Sequence, residues 1–256
     1  MKIDLIKGDC LEKMKSIPDN SVDSITIDPP YGINYKSGWC DKFKKIENDD
    51  NLDFIEELFK ELNRVSVDNS HIYCFVPIQN LDLFFIEIKK YWNIGNLITI
   101  PRTMKGGIGS LKSTFSSQNE FIIFGTKGKR NFEESKILKP SEVYIKDKRK
   151  NPKEWIYRLP DYWHWCKASE HNLKRQHPTQ KTIDVFDTMI QVSSKKGDIV
   201  LDCFMGVCSS GVASLKNGRN FIGIELDDNY FDIATNRINT YIEENEIEDV
   251  ELSISK

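Results

Sequence analysis

The residues Asp28-Pro29-Pro30-Tyr31 close the apolar run Ser24-Ile25-Thr26-Ile27 and are followed by Gly32. These types suit one chemistry, the presentation of an aromatic amine to an electrophile. The lone pair of such an amine is delocalised into its ring. The Asp28 carboxylate and the Pro29 carbonyl can each accept one of its N–H bonds, which draws the lone pair out of conjugation and aims it. Pro29 and Pro30 fix φ and hold those acceptors without loss of entropy during a reaction. The Tyr31 ring can stack on a base that has left its duplex. A bare Asp-Pro-Pro is more often a plain turn at a strand end. The preceding apolar strand and the following Tyr-Gly favour the catalytic reading.

A second strand end carries different chemistry. Ile199-Val200-Leu201 leads into Asp202-Cys203-Phe204-Met205-Gly206-Val207-Cys208-Ser209-Ser210-Gly211, and Glu225 ends the next strand, 23 residues after Asp202. In an open α/β sheet this arrangement cradles a nucleotide-like ligand, with the second acid bonding ribose hydroxyls. Cys208 stands where another glycine would give a pyrophosphate its closest backbone approach. The loop therefore suits a ligand with a ribose and no phosphates, although any tight βα turn can also contain glycine.

The elements that must position these loops follow from periodicity. Leu52, Ile55, Leu58, Phe59 and Leu62 recur at helical spacing, and strands are expected over His71–Val76, Leu97–Ile100 and Phe121–Phe124, with a helix near Leu81–Tyr91. A Gly-, Ser- and Lys-rich loop is expected from Pro101 to Ser117. From residue 127 to about 175 no period is clear, which suggests an insertion beside the sheet. Order returns with a helix facing inward through Ile183, Phe186 and Ile190, the strands Ile199–Leu201 and Phe221–Ile224, and a long helix to about Glu244. The acidic residues from Asn245 to Lys256 read as peripheral. Strands alternating with helices predict a βαβ sheet.

Composition narrows the classes. The 256 residues are 39% hydrophobic and 29% charged with net charge −3, an ordinary soluble composition that speaks against disorder. No apolar run is long enough to span a membrane and no secretory apolar core begins the chain, so a cytoplasmic protein is expected. The six cysteines include no Cys-x-x-Cys pair, which makes a disulfide framework improbable. His164, Cys166 and His171 lack a fourth ligand at zinc spacing, and no metal is expected. A basic cluster does stand out. Between Lys127 and Lys153 there are ten basic residues against four acidic ones, which would suit phosphate contacts.

Residues 8–32, 177–206 and 217–238 resemble the amino-methyltransferases of DNA in their permuted "beta" arrangement, in which the catalytic half precedes the cofactor half. The resemblance implies an α/β, Rossmann-like methyltransferase fold with a mixed, mostly parallel sheet and a circularly permuted motif order. It divides the chain into a catalytic half (1–126), a small target-recognition insertion (127–175) and a cofactor half (176–256). Asp28, Pro29, Pro30 and Tyr31 would form the catalytic loop. Asp202, Phe204 and Gly206 would line an S-adenosylmethionine site, with Glu225 on the ribose and Asp9 and Cys10 against the adenine. His177, Thr179 and Lys181 match the segment near the methionine end, where Lys181 would offer a cation to the carboxylate. The departures are Val207-Cys208-Ser209-Ser210, where the family has a small Gly-Ser/Thr run, and Thr182, where it has proline.

The substrate implied is DNA. Asp28, where cytosine-N4 enzymes more often carry Ser, favours adenine N6, and cytosine N4 remains the rival. A DNA-binding relative without catalysis is a third reading. Arg102, Lys105, Lys112, Arg130 and Arg149 are candidate DNA contacts. A homodimer and a cognate restriction endonuclease are further partners that the resemblance raises and the residues leave open.

Overall fold

The computed structural model describes residues 1–32, 52–102, 113, 115–129, 132, 145–146, 157–166 and 180–255. Among them one eight-stranded sheet runs through the molecule. Its strands in chain order are β1 (Lys2–Lys7), β2 (Val22–Ile27), β3 (Ser66–Val76), β4 (Asn93–Pro101) and β5 (Asn119–Thr126). A separate two-stranded ladder joins β6 (Ile145–Lys146) to β7 (Tyr157–Arg158), and β8 (Ile199–Asp202), β9 (Asn220–Glu225) and β10 (Glu251–Ser255) complete the main sheet.

The spatial order is β10-β1-β9-β8-β2-β3-β5-β4. All neighbours from β10 to β3 are parallel, and β5 is antiparallel to both β3 and β4. The expected mixed, mostly parallel α/β sheet is thus present. The residues expected to be a peripheral tail end in a strand that pairs with β1 at the sheet edge.

Helices cover both faces. On one face lie α1 (Cys10–Met14), α2 (Ile55–Val65) and α3 (Leu81–Lys89); on the other lie α4 (Ile183–Ser193), α5 (Ser209–Lys216) and α6 (Asp228–Glu244). β3 shows why two cores result. Successive strand side chains point to opposite faces, so Ile72, Cys74 and Val76 join α2 and α3 while Tyr73 and Phe75 join α4. Helix α2 buries Ile55, Leu58, Phe59, Leu62 and Val65, one apolar stripe at helical spacing. Arg64 at its end donates to the carbonyls of Met14 (2.8 Å) and Ile17 (3.0 Å), tying α2 to the turn after α1.

The aromatic stretch after the β6–β7 ladder is not separate from this body. Thr99 in β4 donates to the Asp161 carbonyl (2.7 Å) and accepts from Trp163 N–H (2.9 Å), and buried Trp163 and Cys166 join the core that holds Tyr73 and Phe124. The described cysteines Cys10, Cys74, Cys166, Cys203 and Cys208 are unbridged and buried. No helix among the described residues is long and apolar enough to cross a membrane.

Candidate active site

Parallel strands end at one edge of a sheet, and in this fold loops from four adjacent strands meet there. Asp9 follows β1, Glu225 ends β9, Asp202 ends β8 and Asp28 follows β2, in that spatial order. β5 runs the other way, so its first residues lie at this same edge. Phe121 pairs with Val76, the last residue of β3, and Glu120 precedes it.

The Asp-Pro-Pro-Tyr loop is held by its own tyrosine. The Tyr31 hydroxyl donates to Asp28 Oδ1 (2.6 Å), and the Tyr31 carbonyl accepts from the Asn80 amide (2.7 Å). Pro29 is buried and Pro30 half-buried. Gly32 has φ +67, and a Cβ there would run into Leu52, so glycine is required where the chain leaves the loop.

Asp28 belongs to a line of four charges. Lys181 Nζ lies 3.1 Å from Asp28 Oδ2 and 2.8 Å from Glu120 Oε2, and Arg102 Nε lies 3.3 Å from Glu120 Oε1. Lys181 is only 5% exposed, and its ammonium also sits 4.8 Å from the centre of the Phe75 ring. Burial works against that ammonium, but the charges of Asp28 and Glu120 outweigh it and raise its pKa, so Lys181 stays protonated. Burial raises the Asp28 carboxyl, against the pull of Lys181 and Tyr31. Burial and the neighbouring Asp28 push Tyr31 well above its ordinary value, so its hydroxyl remains a donor.

The cradle beside it is organised by its acids. Asp202, 2% exposed, accepts from Phe204 N–H (3.1 Å) and from the Ser210 hydroxyl (2.5 Å), and burial pushes its carboxyl up to about 7. Glu225 accepts from Gly206 N–H at one oxygen (2.9 Å) and Asp227 N–H at the other (2.8 Å), which locks two loops together. Burial raises its pKa while those N–H groups lower it. Asp9 caps α1, accepting from Leu11 N–H (2.9 Å) and Glu12 N–H (3.1 Å), and Cys10 opens that helix. Phe204 packs half-buried beside the core on the α2 face. Gly206 has φ +52 with open space where a side chain would stand.

The donor set fits a cationic ligand with a ribose. Each carboxylate oxygen has two lone pairs, so Glu225 can serve ribose hydroxyls while holding its loops. Asp202, Asp28 and Glu225 give the edge the negative charge that a sulfonium and an ammonium require.

Asp28, Pro29, Pro30, Tyr31, Asp9, Cys10, Lys181, Asp202, Phe204, Gly206 and Glu225 are thus spread along one sheet edge. His177 and Thr179 lie outside the described residues, as do Lys105, Lys112, Arg130 and Arg149 and most of the basic cluster. Arg102, proposed from sequence as a DNA contact, is half-buried against Glu120. His171 is also outside the described residues; Cys166 is buried, which pushes its thiol up to about 12. Among the described residues no group of His, Cys, Asp and Glu could hold a metal. Sequence reasoning missed Glu120, Ser210 and Asn80. The signal for Glu120 was an acid at the head of an apolar strand, and only the antiparallel course of β5 brings that head to the active edge.

Comparison with known proteins agrees with the fold. Residues 22–236 match the model of a family described as DNA methylase. The chain is 30% identical over 245 residues to DNA adenine methyltransferase YhdJ of Escherichia coli (strain K12), covering 91% of this chain and 82% of that protein. It is 29% identical over 251 residues to Type II methyltransferase M.HinfI of Haemophilus influenzae, covering 91% of this chain and 67% of the relative. The crystal structure of the M1.HpyAVI-SAM complex shares the fold, with a TM-score of 0.62 at 22% identity, over 92% of this chain and 99% of that one. With a family match running from β2 into α6, the chain belongs to the DNA methylase family.

Proposed function

We propose that this chain is a site-specific DNA methyltransferase that methylates N6 of adenine, with S-adenosylmethionine as its cofactor. The observation that carries the reading is the juxtaposition of the Asp28 loop with the Asp202–Glu225 cradle at adjoining strand ends. Adenine is favoured by Asp28 and by YhdJ, which is named an adenine methyltransferase. The cofactor is favoured by the acidic, phosphate-unfriendly cradle and by the complex of M1.HpyAVI.

The cofactor, when bound, supplies an electrophilic methyl group, and Asp202, Phe204, Gly206, Glu225, Asp9 and Cys10 would hold it. His177, Thr179 and Lys181 are assigned to the same site from the resemblance, although the Lys181 ammonium is paired with Asp28 and Glu120. Asp28 and the Pro29 carbonyl accept the two amino N–H bonds of a flipped-out adenine and align its lone pair. Asp28 also offsets the positive charge that develops on nitrogen as its bond to the methyl carbon forms and the carbon–sulfur bond breaks, after which that nitrogen loses one proton. Tyr31 keeps the carboxylate oriented through its 2.6 Å hydrogen bond. Lys105, Lys112, Arg130 and Arg149, with their neighbours in the basic cluster, would neutralise phosphates. A homodimer and a cognate endonuclease are consistent with this role; M.HinfI is named a Type II methyltransferase.

The test is transfer of labelled methyl groups to unmethylated genomic DNA, with mass spectrometry of the product nucleosides. N6-methyladenine is expected, and Asp28→Ala should lower the rate by about 100-fold or more while cofactor still binds. N4-methylcytosine would establish the rival base. No incorporation, with salt-dependent DNA binding intact, would establish the binding-only reading.

A further inference from the structure

We infer that Glu120 is a positioning residue for methyl transfer: it holds the Lys181 ammonium off full engagement with Asp28, so that Asp28 keeps its lone pairs and its basicity for the substrate amine. The inference rests on the methyltransferase reading above.

The geometry is that of a shared cation. Lys181 is buried and has carboxylates on two sides, Glu120 at 2.8 Å and Asp28 at 3.1 Å. A buried ammonium must be paired, and with Asp28 as its sole partner it would spend that carboxylate's acceptor capacity. Glu120 divides the pairing and is in turn anchored by Arg102 through its other oxygen. Glu120 Oε2 lies 2.8 Å from that ammonium, so the strength of its hold on Lys181 depends on the Glu120 charge. The four side chains are neutral as a set, two cations and two anions, which leaves Asp28 as the negative end beside the cradle.

The groups facing Asp28 are Tyr31 on its own loop, Lys181 before α4, Glu120 on β5, Cys74 on β3 and Asp202 on β8. Burial raises Asp28, Lys181 and Tyr31 lower it, and Glu120 raises it again. Loss of the Glu120 charge should therefore make Asp28 a weaker base.

The experiment compares wild type with Glu120→Gln, Glu120→Asp, Lys181→Met and the Glu120→Gln/Lys181→Met double variant. For Glu120→Gln, kcat should fall by about tenfold, with cofactor Kd little changed. The acid limb of its pH–rate profile should move to lower pH, and the Asp28 carboxyl should titrate lower by carbon-13 NMR of the free protein. Glu120→Asp should recover part of the rate. In the Lys181→Met background the Glu120→Gln change should cost nothing further. An unchanged kcat and acid limb in Glu120→Gln, or an equal cost in both backgrounds, overturns the inference. If Glu120→Gln fails to fold, the Glu120→Asp profile and the Lys181→Met comparison decide it. Wild type that methylates no adenine would instead refute the reading on which the inference rests.

Discussion

Burial holds the Asp202 carboxyl at about 7 against an ordinary 3.8, and the cause is its place at the end of a central strand. Between those two pH values the folded chain keeps a proton that the unfolded chain has released. Stability from this group therefore falls as pH rises through the window, and the full cost is present above 7. Asp202→Asn removes that cost, since an amide can still accept from Phe204 N–H and donate to the Ser210 oxygen. We expect the cofactor-free variant to be more stable at pH 8 by on the order of 1–3 kcal/mol in thermal unfolding. The same variant should bind S-adenosylmethionine at least about tenfold more weakly, because a charge-assisted hydrogen bond is lost. In wild type, cofactor affinity should fall as pH drops below 7, because a cation binds only after Asp202 gives up its proton. Calorimetric titration at pH 6 and 8 would show this, and a pH-independent affinity would refute it. The residue types at this site were legible in the sequence; their protonation was not, because it depends on burial.

The turn into α5 explains an oddity at the scale of elements. Cys208 caps that helix with φ +62, a left-handed backbone that glycine adopts without strain, yet its side chain is fully buried. Gly211 makes room for it: a Cβ there would collide with Cys208 Sγ and press on the Phe221 ring. Gly211→Ala should destabilise the protein by about 1–3 kcal/mol, and adding Cys208→Gly should restore much of the loss, a non-additivity that chemical denaturation can measure. Burial pushes the Cys208 thiol up to about 12, so it serves as packing and not as a nucleophile. The longer elements were legible because each carries a clear apolar period: α2 was expected from Leu52 and begins at Ile55, and β3 was expected from His71 and begins at Ser66. β10 was not legible. Leu252 and Ile254 alternate with Glu251, Ser253 and Ser255 for only five residues, and only its partner β1 makes the segment a strand.

Across the whole molecule, the first two strands in sequence are not neighbours in space. β1 and β2 are separated in the sheet by β9 and β8, so β2 completes its pairing only when β8 is present and β1 only when β9 and β10 are. Sequence patterns could supply the alternation of strands and helices but not this order; the resemblance supplied the permutation. A chain ending at residue 198 lacks all three late strands. We expect it to show no cooperative thermal unfolding by circular dichroism, and a sharp transition near that of the full chain would contradict this. Lys181 extends the dependence to the chemistry, since it comes from the late half and pairs with Asp28 and Glu120 of the early half. On the ribosome the order matters: a nascent chain carries the catalytic loop long before the lysine, the cradle and the strands that seat it have been made. A truncated product holds Asp28 without those partners, so an unfinished copy carries the acceptor loop but neither the pairing nor the cradle that the later residues supply.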